Sequence, residues 1–140
     1  MPFLLDTNVI SELRKAPQCD PHVSQWFDAT PLEEIYISVL SLGEMRRSVE
    51  KKRRKDSVAA RTYEKWLSAV TILHRERTLG VNAKICDIWG HLSVDPQLPP
   101  IDGLLAATAV HYNLTVATQN EADFQRVGVD YFNPLRGGKP

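Results

Sequence analysis

The sequence predicts an α/β fold with a central, mainly parallel β-sheet flanked by helices. Two observations predict it. Short runs rich in apolar, β-branched and aromatic residues, at 3–5, 34–39 and 114–118, alternate with segments whose apolar residues recur every three or four positions. The run 101–110 is apolar on nearly every side, as a buried helix packed on a sheet is, and it leads into the run 114–118. Strands that alternate with helices pair in parallel, because each crossover returns the chain to the same end of the sheet.

Taken in order, Phe3-Leu4-Leu5 reads as a buried strand that delivers Asp6 to its carboxyl end, and Val9, Ile10 and Leu13 continue as a helix. A loop follows over 14–19. Asp20-Pro21 starts the next helix, with Asp as cap and Pro at the first helical position, and Pro31 breaks it. Residues 34–39 form the second strand. Ser41-Leu42-Gly43-Glu44 matches the capping-box pattern, which predicts a helix starting at Ser41 with Glu44 in its first turn. That helix runs into Arg46, Arg47 and the basic run 51–55. Asp56-Ser57 restarts a long helix with Tyr63, Trp66, Leu67, Val70 and Leu73 on one side. A short strand is expected near 77–81, and Asn82 caps a helix carrying Ile85, Ile88, Trp89 and Leu92. Asp95-Pro96-Gln97-Leu98-Pro99-Pro100 reads as a loop by its prolines. The buried helix 101–110, the strand 114–118, a loop with a helical turn at 119–124 and an edge strand ending at Phe132 complete one domain over 1–135, with a flexible tail at 136–140.

The composition excludes several classes. No apolar run approaches the roughly 18 residues of a membrane span, and the start of the chain lacks the basic and apolar regions of a secretory signal. Cys19 and Cys86 show no metal or redox spacing; free thiols are expected, with a disulfide the minor alternative. The formal net charge is zero, so nucleic acid can be attracted only by a local patch. Arg46, Arg47, Lys51 and Lys52 are that patch, or else a solvated helix end. His22, His74, His91 and His111 have no ligand spacing.

Three acids share one context. Asp6 ends a strand, Glu44 opens the helix after the second strand, and Asp102 opens the buried helix. Strand ends and helix starts lie on one edge of a parallel sheet, so these carboxylates can meet. Asn120 and Asp123 follow the strand ending at Thr118, on that same edge. Each acid alone is explained as a cap or a partner of a helix dipole. Together they form a repelling cluster that a divalent cation relieves, and oxygen ligands without histidine or thiolate suit Mg²⁺ or Mn²⁺.

Leu4-Leu5-Asp6-Thr7-Asn8-Val9-Ile10-Ser11-Glu12-Leu13 resembles the opening of PIN-domain nucleases, especially the VapC-type and FitB-like toxins of bacterial toxin–antitoxin pairs. Ser41-Leu42-Gly43-Glu44-Met45-Arg46 resembles their second acidic motif, and 100–109 their third. The stretch 115–124, with Gly128-Val129 and Asn133-Pro134, is similar to their carboxyl end. The resemblance implies Mg²⁺- or Mn²⁺-dependent hydrolysis of RNA to a 5′-phosphate and a 3′-hydroxyl. It implies Asp6, Glu44 and Asp102 as metal-binding, catalytic acids. Many relatives carry an acid where this chain has Asn120; Asp123, one helical turn on, either replaces it or acts through a water. Thr7, Thr118 and Asn120 are read as hydrogen-bonding supports of the acids, or as ordinary strand-end groups. The resemblance further implies a homodimer, a small antitoxin that blocks the acidic site, and a bacterial or archaeal cytoplasm. Two other readings compete. One is a catalytically weak toxin acting within an antitoxin DNA-binding repressor complex. The other is a haloacid-dehalogenase-like phosphatase, whose chemistry wants a second Asp where this chain has Asn8.

Overall fold

The structure is a computed structural model and describes residues 1–94 and 98–140. Twelve elements concern the site: β1 (Phe3–Leu5), α1 (Thr7–Leu13), α2 (Pro21–Ala29), β2 (Ile35–Ser38), α3 (Val39–Arg53), α4 (Ser57–Leu73), β3 (Thr78–Leu79), α5 (Ala83–Leu92), α6 (Pro100–Tyr112), β4 (Thr115–Ala117), α7 (Glu121–Arg126) and β5 (Tyr131–Phe132). The strands form one sheet in the order β3-β2-β1-β4-β5. All four strand pairs are parallel, with Leu4 opposite Tyr36 on one side and Val116 on the other.

Alternation along the strands divides the core into two layers. Phe3, Leu5, Ile35 and Ile37 face Val9, Val23, Trp26, Met45 and Val49, so α1, α2, α3 and α4 cover one face. Leu4 and Val116 face Leu105, Ala106, Ala109 and Phe124, so α6 and α7 cover the other. A sheet covered on both faces needs continuous apolar strands, which is what Phe3-Leu4-Leu5 supplies. Strand order reverses beside β1: β2 and β3 extend one way, and β4 and β5 the other. The crevice at the carboxyl ends of β1 and β4 is therefore the switch point where ligands of such sheets bind.

Most helix starts follow from local chemistry. Asp20 accepts from the backbone N–H of His22 and Val23, Asp56 from Ala59 and Asn82 from Ile85. One start differs from expectation. α3 begins at Val39, capped by Ser38, whose hydroxyl accepts from the Leu40 N–H at 3.0 Å. Ser41 is not the cap: it lies inside the helix, fully buried, and Glu44 falls in the second turn. The strand hands over to the helix without a loop, so the first hydroxyl available is the one that caps. Pro100 is the first residue of α6 rather than the end of a loop. Asp95, Pro96 and Gln97 of that expected loop lie outside the described residues. The expected helical turn at 119–124 is a helix, α7. Cys19 and Cys86 are free. Among the described residues no helix is long and apolar enough to cross a membrane.

α5 packs on α6 through Trp89 and Gly103. A Cβ at Gly103 would stand 2.9 Å from Trp89 Cδ1 and Nε1, whereas one at Gly90 would meet nothing within 4 Å. Gly103→Ala is expected to destabilise the fold by about 1–3 kcal/mol through overpacking. Gly90→Ala is expected to stabilise it by about 0.5–1 kcal/mol through helix propensity. Denaturant titration of the two variants checks the contrast; equal effects would contradict the packing described.

Candidate active site

Asp6 sits where β1 ends, its N–H still bonded to Ala117 O of β4 at 2.9 Å. It is 4% exposed. Its carboxylate accepts from the Thr7 N–H at 2.7 Å, from Asn8 Nδ2 at 3.1 Å and from Thr118 Oγ1 at 2.8 Å. Burial raises its pKa above the ordinary carboxylate value; the Thr118 and Thr7 bonds oppose that shift, the charge of Glu44 adds to it, and the Asn8 bond again opposes it.

Thr7 Oγ1 lies 2.5 Å from Glu44 Oε1 and 2.9 Å from Ser41 Oγ. One hydroxyl proton serves one acceptor, so Thr7 donates to the carboxylate and Ser41 donates to Thr7. This relay explains why Ser41 is buried without cost, and it ties α3 to the start of α1. Glu44 is thus brought to Asp6 from the second turn of α3.

Asp102 enters from the first turn of α6, half-buried. Asn120 connects it to the carboxyl end: its Nδ2 lies 3.4 Å from Asp102 Oδ2 and 2.8 Å from Asp123 Oδ2, and its backbone N–H donates to Thr118 Oγ1 at 2.8 Å. The Asp102 pKa is pushed up to about 6, first by burial, then by the charges of Asp6 and Asp123, a hydrogen bond with Asp123, and the charge of Glu44. Arg126 stands 3.7 Å from Asp123.

Every acid expected at the site is therefore connected to it, along with Thr7, Thr118 and Asn120. The basic residues divide. Arg47 and Lys51 line a cleft with Thr7 and Glu44. Lys52 lies further along α3, beside Lys51. Arg46 turns away: its guanidinium holds Glu64 of α4 at 2.5 Å and Glu50 at 3.3 Å. Ser41 and Asn8 are contributors that the sequence reading missed. The capping pattern drew Ser41 into another role, and Asn8 drew notice only as an amide where a phosphatase needs an acid. Its Nδ2 donates to Asp6 and its Oδ1 accepts from the Gln119 N–H at 3.2 Å.

The donor set suits a hard divalent cation: all ligating atoms are oxygen, and the negative charge exceeds what neighbouring cations offset. The acids are nonetheless not drawn into a closed cage; among the described residues no three His, Cys, Asp or Glu side chains form a ready metal-binding group.

The fold and site together define a parallel-sheet domain that gathers carboxylates at its switch point. Residues 3–130 match the family model described as PIN domain. The chain is 32% identical over 139 residues to Toxin FitB of Neisseria gonorrhoeae, covering 94% of this chain and 97% of that protein. It is 31% identical over 136 residues to VapC ribonuclease Y4jK of Sinorhizobium fredii, covering 94% and 96%. It superposes on the crystal structure of FitAcB from Neisseria gonorrhoeae with a TM-score of 0.86 and 30% identity, covering 94% of this chain and 97% of that one. The chain belongs to the PIN-domain family. The phosphatase reading falls with that assignment.

The raised Asp102 pKa has a sign that can be checked. Its folded value, about 6, exceeds the ordinary 3.8. Between those values the folded chain holds a proton that the unfolded chain has released, so this group's stabilisation is full below 3.8 and lost as pH rises through about 6. Asp102→Asn is expected to melt several degrees higher than the parent protein at neutral pH, with the difference narrowing on acidification. Mg²⁺ is expected to raise the parent's melting temperature more than the variant's. Melting curves across pH test both; parallel curves would refute the repulsion.

Proposed function

We propose that this protein is the toxin of a type II toxin–antitoxin pair and a divalent-metal-dependent ribonuclease that hydrolyses RNA phosphodiester bonds. One observation carries the reading: Asp6, Glu44, Asp102 and Asp123, distant in sequence, are linked by hydrogen bonds at the sheet's switch point. Two relatives whose names contain "toxin" and "ribonuclease", each matched over nearly the whole chain, support it.

Asp6, Glu44 and Asp102 would hold Mg²⁺ or Mn²⁺, with Asp123 as a further catalytic acid. The bound cation supplies Lewis acidity toward a phosphate oxygen and lowers the pKa of a water. The chain does the rest. Thr118, Thr7 and Asn8 fix the orientation of Asp6; the Ser41–Thr7 relay holds Glu44 toward it; Asn120 donates to both Asp102 and Asp123. Protons compete for Asp102 as pH falls toward about 6, so activity declines on the acid side. The Thr118, Thr7 and Asn120 contacts act through the acids rather than on substrate. The functional unit is residues 1–135, working in a bacterial or archaeal cytoplasm as a homodimer restrained by a small cognate antitoxin.

Asn120 favours a second reading. A neutral amide bridges the acids where a further acid would strengthen the charge, as expected of a weak toxin acting mainly within an antitoxin DNA-binding repressor complex.

The test is a panel of RNAs incubated with pure protein and Mg²⁺, Mn²⁺ or EDTA. Metal-dependent cuts are expected, lost about 100-fold or more in Asp6→Asn, Glu44→Gln and Asp102→Asn, and weakened about 10- to 100-fold in Thr118→Val. Full activity in EDTA, or in Asp6→Asn, would overturn the ribonuclease reading. Intact RNA combined with tight antitoxin binding would favour the second.

A further inference from the structure

Beside the acidic site α3 and the turn after it carry more positive than negative charge. The helix sorts its charges by face. Arg46, Glu50 and Arg53 point to α4, where Glu64 accepts from both arginines. Ser41, Met45 and Val49 are buried. Glu44, Ser48 and Lys51, spaced by four and three, fall on one remaining stripe, and Arg54 and Lys55 follow in the turn just past the helix end. From Glu44 to Lys51 is about 10 Å along the axis at the helical rise.

Two clefts lie along that stripe and share Ser48 and Lys51. The first, about 470 Å³, includes Thr7 and Glu44 of the site together with Arg47. The second, about 590 Å³, is lined by Arg14, Lys51, Lys52, Arg54, Lys55 and Tyr63, with no acid on its wall. Among the described residues none of these five cations has an ion pair with a carboxylate recorded, unlike Arg46 and Arg53. Arg14 is held differently: its guanidinium lies over the Tyr63 ring, 4.2 Å from its centre, and both side chains line the cleft. A guanidinium stacked on an aromatic ring beside lysines suits a nucleic-acid strand, offering phosphate contacts and planar groups on which a base can stack.

We propose that the Glu44–Lys51 face of α3, continued by Arg54 and Lys55 of the following turn and closed at its far end by Arg14 on Tyr63, is the track along which a single RNA strand runs from the carboxylate cluster on one side of the cut. The proposal rests on the ribonuclease reading for its substrate. Continuity with the acidic site favours RNA over an acidic protein segment. The track excludes Arg46, which is engaged by Glu64, and adds Arg14 and Tyr63 to the basic stretch 46–55 legible in the sequence.

The experiment separates binding from cleavage. Binding of a labelled single-stranded RNA to the full chain is followed by anisotropy in EDTA over a range of KCl concentrations. Lys51→Gln/Lys55→Gln and Arg14→Gln are compared with Arg61→Gln/Lys65→Gln, two charges removed from α4 away from both clefts. The track variants are expected to bind several-fold more weakly, with the slope of log affinity against log salt reduced by about 0.7 per lost phosphate contact. The α4 control is expected to match the parent. In Mg²⁺ the same variants should raise KM and leave kcat unchanged. Weakened RNA binding supports the track even where the parent cleaves nothing, an outcome that would count against the ribonuclease reading alone. Three results overturn the track: affinity and slope equal to the parent's; a lowered melting temperature with RNA affinity intact, which would confine these cations to the helix C-terminus; or lost affinity for polyglutamate with RNA affinity intact, which would assign the cleft to an acidic protein partner.

Discussion

The bond from Thr118 Oγ1 to Asp6 Oδ2 joins residues 112 positions apart, across the point where the sheet reverses its strand order. Around it the Thr7 N–H and the Asn8 amide complete a shell of neutral donors. A buried carboxylate without donors would be forced to neutralise, at a cost of several kcal/mol. Here three donors orient the carboxylate. The register of β1 against β4 serves the same end, because the Asp6 N–H continues the β1–β4 ladder to Ala117 and leaves the side chain at the crevice.

That arrangement propagates outward by two routes. Asn8 and Thr118 bind the following loop, through Gln119 and Asn120, and Asn120 then reaches Asp102 and Asp123. Thr7 reaches Glu44 and, through Ser41, the interior of α3. Helices on opposite faces of the sheet, α3 and α6, are therefore joined through one acid at the end of one strand. The raised pKa of Asp102 is the electrostatic consequence: three other carboxylates act on a group that burial already disfavours as an anion. The fold tolerates this repulsion because the sheet core beneath it is apolar and closely packed, with Leu4, Val9, Leu105 and Ala106 fully buried.

Much of this was legible along the chain wherever a local rule acts alone. Asp20-Pro21, Asp56 and Asn82 start helices where their chemistry says they must, and Asp6 at a strand end and Asp102 at a helix start lie on the one edge of the parallel sheet where such positions gather. What stayed hidden depends on partners far away in sequence. Ser38 and Ser41 offer the same hydroxyl, and only the position at which β2 ends decides that Ser38 caps and Ser41 bonds to Thr7. Arg46 belongs to a basic run by sequence, yet Glu64, on a different helix, removes it from the pool of free charge. Asn8, seen in isolation, is the absence of an acid; in the fold it is a brace between Asp6 and Gln119.

The same helix can serve an acidic site and a basic surface because helical rotation keeps its faces apart. Glu44 and Arg46 are two residues apart, and two steps of the helix turn them to nearly opposite sides. One is carried to Thr7 and the other to Glu64. Arg46 and Arg53 share Glu64, so the charges closest to the α3–α4 packing are matched, and those left over, Arg47, Lys51 and Lys55, lie on the side that opens to the clefts. Zero net charge thus conceals a separation of charge, with acids at the switch point and cations along the helix leading away from it. A polyanion would gain attraction from those cations as it approaches, and that gain offsets the repulsion of the carboxylates until a divalent ion is in place.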